Sequence, residues 1–166
     1  MIPEDIRKII TDPEMDLVGI SEEQSNGIFW GDWRSEDDTL IDQCEHLIET
    51  GCLEPEWEKD DLFINYKDTK YEVPLIYGIE DRHITLLELN KVLSREYEIH
   101  FIWSSNGSDT VAFIILSCEL WNEIENEFLP VETEFAFMKL TEDLNSFTSS
   151  LSRPANPFNK WYEFWK

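Results

Sequence analysis

Residues 97–116 read YEIHFIWSSNGSDTVAFIIL, two alternating apolar runs joined at Asn106-Gly107. That dipeptide predicts a two-residue hairpin turn, because a type I′ turn needs positive φ at both central residues. A turn there sets the register. Trp103 faces Thr110, Phe101 faces Ala112 and Ile99 faces Ile114 on one side; Ile102 lies opposite Val111 and His100 opposite Phe113 on the other. Both sides are largely apolar, which predicts a hairpin central in its sheet and covered on both faces.

Outward from the hairpin, residues 62–66 and 70–75 alternate as strands around a Lys67-Asp68-Thr69 turn. Pro74 cannot donate a ladder hydrogen bond, so its strand is an edge or ends there. Thr85 and Glu88 have capping-box spacing, with Ile84 and Leu89 at staple positions, which predicts a helix turning Leu86, Leu89 and Leu93 to the sheet. After the hairpin, Ser117 caps a second helix, with Leu116 and Trp121 as staple and Leu120, Ile124 and Phe128 on its buried face. A carboxylate row of Glu119, Glu123 and Glu127 runs beside that face, and Pro130 ends the helix. Residues 62–128 therefore read ββαββα, and the fold class is α+β: an antiparallel sheet with helices packed against it.

The flanks are less regular. Pro3, Glu4 and Asp5 open a short helix over residues 3–10, with Ile6, Ile9 and Ile10 as its apolar face and Pro13 just beyond. Residues 17–20 and 28–33 are two apolar pieces around Ser25-Asn26-Gly27, a first hairpin. A helix over residues 35–51 takes Ser35 as N-cap and Gly51 as C-terminal cap, and buries Leu40, Cys44, Leu47 and Ile48. Residues 133–140 read as a strand, with Phe135 and Phe137 on one face and Ala136 and Met138 on the other. Residues 145–159 read as a loop. The aromatic end, Phe158, Trp161, Tyr162, Phe164 and Trp165, is costly in water. It reads as docking on its own domain, with a dimer or partner surface as the alternative. At 166 residues the chain is one domain, with an acidic N-terminal segment over residues 1–61, the scaffold over residues 62–128 and an aromatic C-terminal segment over residues 129–166.

Charge carries the functional argument. There are 36 acidic and 13 basic side chains, a net charge of -23. That disfavours nucleic acid and anionic membrane as partners, since both need positive charge, and it favours a basic protein partner, a cation, or nothing beyond solubility. No apolar run approaches the ~20 residues of a membrane span. The start lacks the features of a signal peptide, and three cysteines at irregular spacing make no disulfide framework, so a cytoplasmic protein is expected. Residues 1–61 hold 19 acidic and 4 basic side chains, a net of -15, against 17 and 9, a net of -8, in residues 62–166. Asp38, Asp42, Glu45 and Glu49 fall on one helix face, where like charges cost about 0.2–0.5 kcal/mol per pair. Glu54, Glu56, Trp57, Glu58, Asp60 and Asp61 follow as an acidic run with an aromatic inside it. These ten are the expected partner-binding residues.

No phosphate loop, nucleophile elbow, H-E-x-x-H or EF-hand spacing occurs. Cys44 and His46, two apart on a helix, point different ways and make a poor metal pair. His83 is free to meet His46 or His100 in space. Cys118 sits in a first helical turn, where a thiol pKa can fall, but no base is near it in sequence. No catalytic residue, cofactor or metal is assigned. In size, acidity and tryptophan content the chain resembles small bacterial immunity proteins. The resemblance rests on the Asp38–Glu49 face and the run containing Trp57. It covers composition and patterning, and no family motif matches residue by residue, so no family site is carried over. It implies a toxin inhibitor that covers a cationic active site. Two alternatives stand beside it: an enzyme with a site assembled from His83, His100 and a carboxylate, or a domain whose acidity serves solubility alone.

Overall fold

The computed structural model describes residues 1–12, 14–15, 17, 26–143, 145–148 and 151–156. Along the chain these form α1 (Glu4–Thr11), β1 (Ile28–Asp32), α2 (Asp37–Ile48), β2 (Leu53–Glu58), β3 (Asp61–Tyr66), β4 (Thr69–Glu72) and α3 (Asp81–Leu93). There follow β5 (Tyr97–Ile102), β6 (Thr110–Ser117), α4 (Cys118–Glu127), α5 (Pro130–Ala136) and β7 (Phe137–Lys139). Two antiparallel sheets result, one ordered β1-β6-β5-β7 and the other β2-β3-β4. The fold is α+β. Most of the expected first hairpin before Asn26, Pro13 and the aromatic end from Phe158 to Trp165 lie outside the described residues.

The β5–β6 hairpin is central in the larger sheet and covered on both faces. One cluster joins Phe101, Phe113 and Ile115 to Leu40 and Cys44 of α2, Leu86 and Leu89 of α3, and Leu62 and Ile64 of the smaller sheet. On the opposite face Ile102, Ala112 and Ile114 pack against Ile6 and Ile9 of α1, Trp121 and Ile124 of α4 and Ala136 of α5.

The register differs from the expected one by a residue. Phe101 pairs with Phe113, His100 with Ile114 and Ile99 with Ile115. The reason lies in the connection. Trp103–Ser105 winds into a 3-10 turn, and Asn106 keeps φ -62, so Asn106-Gly107 does not form the type I′ turn. Ser105 Oγ donates to the Ile102 carbonyl at 2.7 Å and accepts from Ala112 N at 2.9 Å, tying the longer loop to both strands. A one-residue slip exchanges the faces of the partner strand. Val111, Phe113 and Ile115 thus join Ile99 and Phe101 beneath α2 and α3. Positive φ at both central residues occurs instead at Lys67 (48°) and Asp68 (62°), between the paired Tyr66 and Thr69.

Three helix boundaries are corrected. Glu36, not Ser35, precedes α2, and the Ser35 hydroxyl accepts from Asp32 N at 3.1 Å. Helix α3 begins at Asp81, so Thr85 lies inside it and is buried rather than capping. Residues 133–136 are helical, because Pro130 opens α5 and Glu132 accepts from Leu129 N at 2.9 Å; only Phe137–Lys139 is strand. Ser117 caps α4 as expected, accepting from Leu120 N at 3.2 Å. The acidic row beside it is partly answered by α1 and the residues before it: Glu127 pairs with Arg7 of α1, and Glu123 lies 2.8 Å from the Met1 amino group.

The buried Thr85 hydroxyl donates to Asp37 Oδ1 at 2.9 Å and so joins α3 to α2. Removing this donor leaves a buried carboxylate short of a hydrogen bond. Thr85→Val is accordingly expected to cost about 1–3 kcal/mol, read as a shift of the urea midpoint without a change in slope. Burial raises the Asp37 carboxyl above its ordinary 3.8, opposed by the Thr85 bond and the Arg82 charge. A raised acid pKa means the folded chain holds this proton more tightly than the unfolded chain. Its penalty is full above the folded value and is relieved as pH falls through that value toward 3.8. Asp37→Asn should therefore gain stability relative to wild type as pH rises from about 4 to about 7. A constant difference across that range would contradict the assignment.

Candidate functional site

Two acidic stretches that are separate in sequence meet in space. Helix α2 ends with Glu49 in the left-handed region (φ 47) followed by Gly51 (φ 69), which turns the chain back. Glu45 secures that reversal, its two carboxylate oxygens accepting from Thr50 Oγ1 and Gly51 N, both at 2.6 Å. Strand β2 then runs back along the helix, and Trp57 Nε1 donates to Asp38 Oδ2 at 2.9 Å. Strand alternation sends Leu53, Pro55 and Trp57 toward the helix side and Glu54, Glu56 and Glu58 to the outer face. Strand β2 is an edge, where Pro55 costs no ladder bond.

The ten expected residues therefore divide. Asp38, Asp42, Glu45 and Glu49 lie along the flank of α2, Glu54, Glu56 and Glu58 on the outer sheet face, and Asp60 and Asp61 at the hairpin tip. Trp57 links the first group to the strand. Not all are available to a partner. Glu45 serves the turn after α2. Glu56 accepts from Asn65 Nδ2 at 2.7 Å and pairs with Lys70 at 3.0 Å, which together hold its carboxyl below the ordinary range. Lys70 also answers Glu58. Asp42 is exposed, yet partial loss of solvent and the Asp38 charge raise its carboxyl. Glu54, Asp60 and Asp61 are exposed.

Sequence reading missed the loop between β4 and α3. It presents Ile76 (60% exposed), Tyr77 (69%) and Ile79 (67%). So apolar a loop needs a reason to stand in water. Its backbone is well anchored. Buried Asp81 accepts from Ile76 N at 2.9 Å and Gly78 N at 3.0 Å, and Arg82 donates to Gly78 O at 3.2 Å and Ser35 O at 3.0 Å. Tyr77 sits at φ 59, a conformation costing a bulky residue on the order of 1 kcal/mol. Its hydroxyl reaches the acidic hairpin tip, 3.3 Å from Asp60 O and 3.4 Å from Asp61 Oδ1. Trp57 (41% exposed) stands on the strand leading to the same tip. The result is a pinned apolar projection beside Asp60, Asp61 and Glu80. An apolar run at 75–79 continuing past the end of its strand is the signal that marks it.

The histidines do not converge. His83 Nδ1 lies 2.9 Å from Ser146 Oγ and its Nε2 2.9 Å from Thr141 O, which fits a neutral ring donating from Nε2, and burial lowers its pKa. Ser146 is itself buried, so the two bonds hold Thr141 and Ser146 against α3. His100 stacks on Trp121 at 3.9 Å, on the sheet face away from α3. His46 is exposed on α2. The Cys118 thiol is raised, by burial and by Glu98 and Glu96, which overrides its first-turn position. Cys44 is buried and raised likewise. Among the described residues no group of three or more His, Cys, Asp and Glu could hold a metal ion, and no helix is long and apolar enough to cross a membrane. Comparison with protein-family models, with curated proteins and with solved structures finds no match.

Proposed function

We propose that this chain is a non-enzymatic interaction protein that recognises a basic protein partner, in the manner of an immunity-type inhibitor covering the cationic cleft of a toxin. The observation that carries this reading is the junction of Tyr77 with Asp60 and Asp61. It places exposed apolar anchors within a field of carboxylates. Interfaces draw affinity from a few aromatic anchors and draw association rate from complementary charge. Anchors and charge share one surface here. The three free thiols fit an encounter in a reducing cytoplasm.

Affinity capture from the native cell tests the proposal. Wild type is expected to retain a basic protein that Tyr77→Ala combined with Trp57→Ala loses. Retention of the same partner by the double variant would contradict the site. Recovery of no basic partner would leave solubility as the use of the charge.

A further inference from the structure

We infer that the aromatic segment over residues 157–166 docks on its own domain, seated in a cavity at the open edge of the larger sheet. The cavity measures about 670 Å³ and opens beside β7, between that strand, α5 and the 3-10 turn. Pro130, Phe137, Met138 and Pro154 give it apolar walls. A cavity of about 150 Å³ already holds a benzene ring, so this one has room for more than one aromatic side chain. Strand β7 is the last in its sheet, and native proteins commonly cover such an edge with a helix or a loop.

The chain itself leads to this cavity. Asn106 Nδ2 donates to Leu151 O at 3.2 Å, which ties the approaching backbone to the loop after the 3-10 turn. Arg153 Nε donates to Phe135 O at 3.1 Å, and its guanidinium lies 3.9 Å from the centre of the Phe135 ring. Held against α5 in this way, the chain delivers Pro154 to the cavity wall. Phe158 follows Pro154 by four residues, at most about 14 Å of extended chain.

Composition and charge single out this segment as the occupant. Phe158, Trp161, Tyr162, Phe164 and Trp165 make half of its ten residues aromatic. Four of them, at 158, 161, 162 and 165, have the spacing of one helix face. Rings so concentrated are costly to leave in water, and each removes about 150–250 Å² from solvent when covered. The rim of the cavity is net negative: Glu125 and Glu134 are exposed on it, and Lys139 is answered by Glu98 Oε1 at 3.5 Å. Residues 157–166 set Lys160 and Lys166 against Glu163, so they are net positive within a chain of net charge -23. The rim therefore attracts this segment, whereas a second copy of the chain brings its whole negative charge to the same place and is repelled.

Methyl NMR of the full chain reads the contact directly. Nuclear Overhauser effects are expected from the Met138 and Thr133 methyls to the indole protons of Trp161 or Trp165. Trp161→Ser combined with Trp165→Ser should shift both methyl resonances and lower the urea midpoint. The midpoint should fall by less when Met138→Ala is already present, because wall and occupant then share one loss. All of these signals should be unchanged over a hundredfold dilution, since the contact lies within one chain. Methyl resonances that ignore the loss of both tryptophans would overturn the site. Resonances that move on dilution would assign the segment to a second copy and overturn docking within the chain. Neither outcome bears on the basic-partner surface, whose anchors Trp57 and Tyr77 stand on other elements.

Discussion

Phe101→Ala is expected to lower stability by about 3–5 kcal/mol, enough to threaten folding of a domain whose total is on the order of 5–15 kcal/mol. Phe101 has no exposed surface and meets Trp103 and Phe113 edge-on, at ring separations of 5.7 and 5.8 Å. Its pairing with Phe113 places two large rings side by side in the middle of the sheet, under both α2 and α3. Little can collapse into the space a truncation leaves, because the neighbours belong to rigid strands on each side. Urea unfolding of the purified variant gives the value. Unfolding within error of wild type would mean that the hairpin is not the centre of the core.

Tyr77→Ala has the second large expected effect, and it falls on binding. A side chain 69% exposed in the free protein contributes little to folding, so stability should move by no more than about 0.5 kcal/mol. As an anchor buried by a partner, the same ring should contribute at least about 2 kcal/mol, roughly a thirtyfold loss of affinity. The loss should appear as faster dissociation, and Trp57→Ala should behave alike. An unchanged dissociation rate in both variants would mean that the partner sits elsewhere.

How much of this was legible in the chain follows from the range of the forces involved. Alternation over 97–102 and 110–116 depends on neighbours two residues apart, so the strands and their central place could be read. The register could not, because it rests on the Ser105 hydroxyl bridging to Ala112 across the loop. Thr85 and Glu88 match a capping box by spacing alone. Asp81 starts the helix earlier, and the Thr85 hydroxyl is taken by Asp37, 48 residues away. The site divides the same way. Both acidic stretches are plain in composition, whereas their junction through Trp57 and Asp38 depends on how β2 docks against α2. The Ile76–Ile79 loop escaped because an apolar run reads as core until the structure leaves it outside.

The central claim, that charge on this surface draws in a basic partner, is tested most directly by the salt dependence of the association rate. The measurement compares wild type with a variant carrying Asp42→Asn, Glu54→Gln, Asp60→Asn and Glu80→Gln. These positions are exposed, and among the described residues their side chains hold no turn or strand in place as Glu45 and Glu56 do, so the fold should be kept. The Debye length shrinks from about 10 Å at 0.1 M salt to about 3 Å at 1 M. The wild-type association rate should fall steeply over that range, and the variant should start slower and fall less, with dissociation little changed in either. Association that ignores salt, and is equal in the two proteins, would contradict the claim.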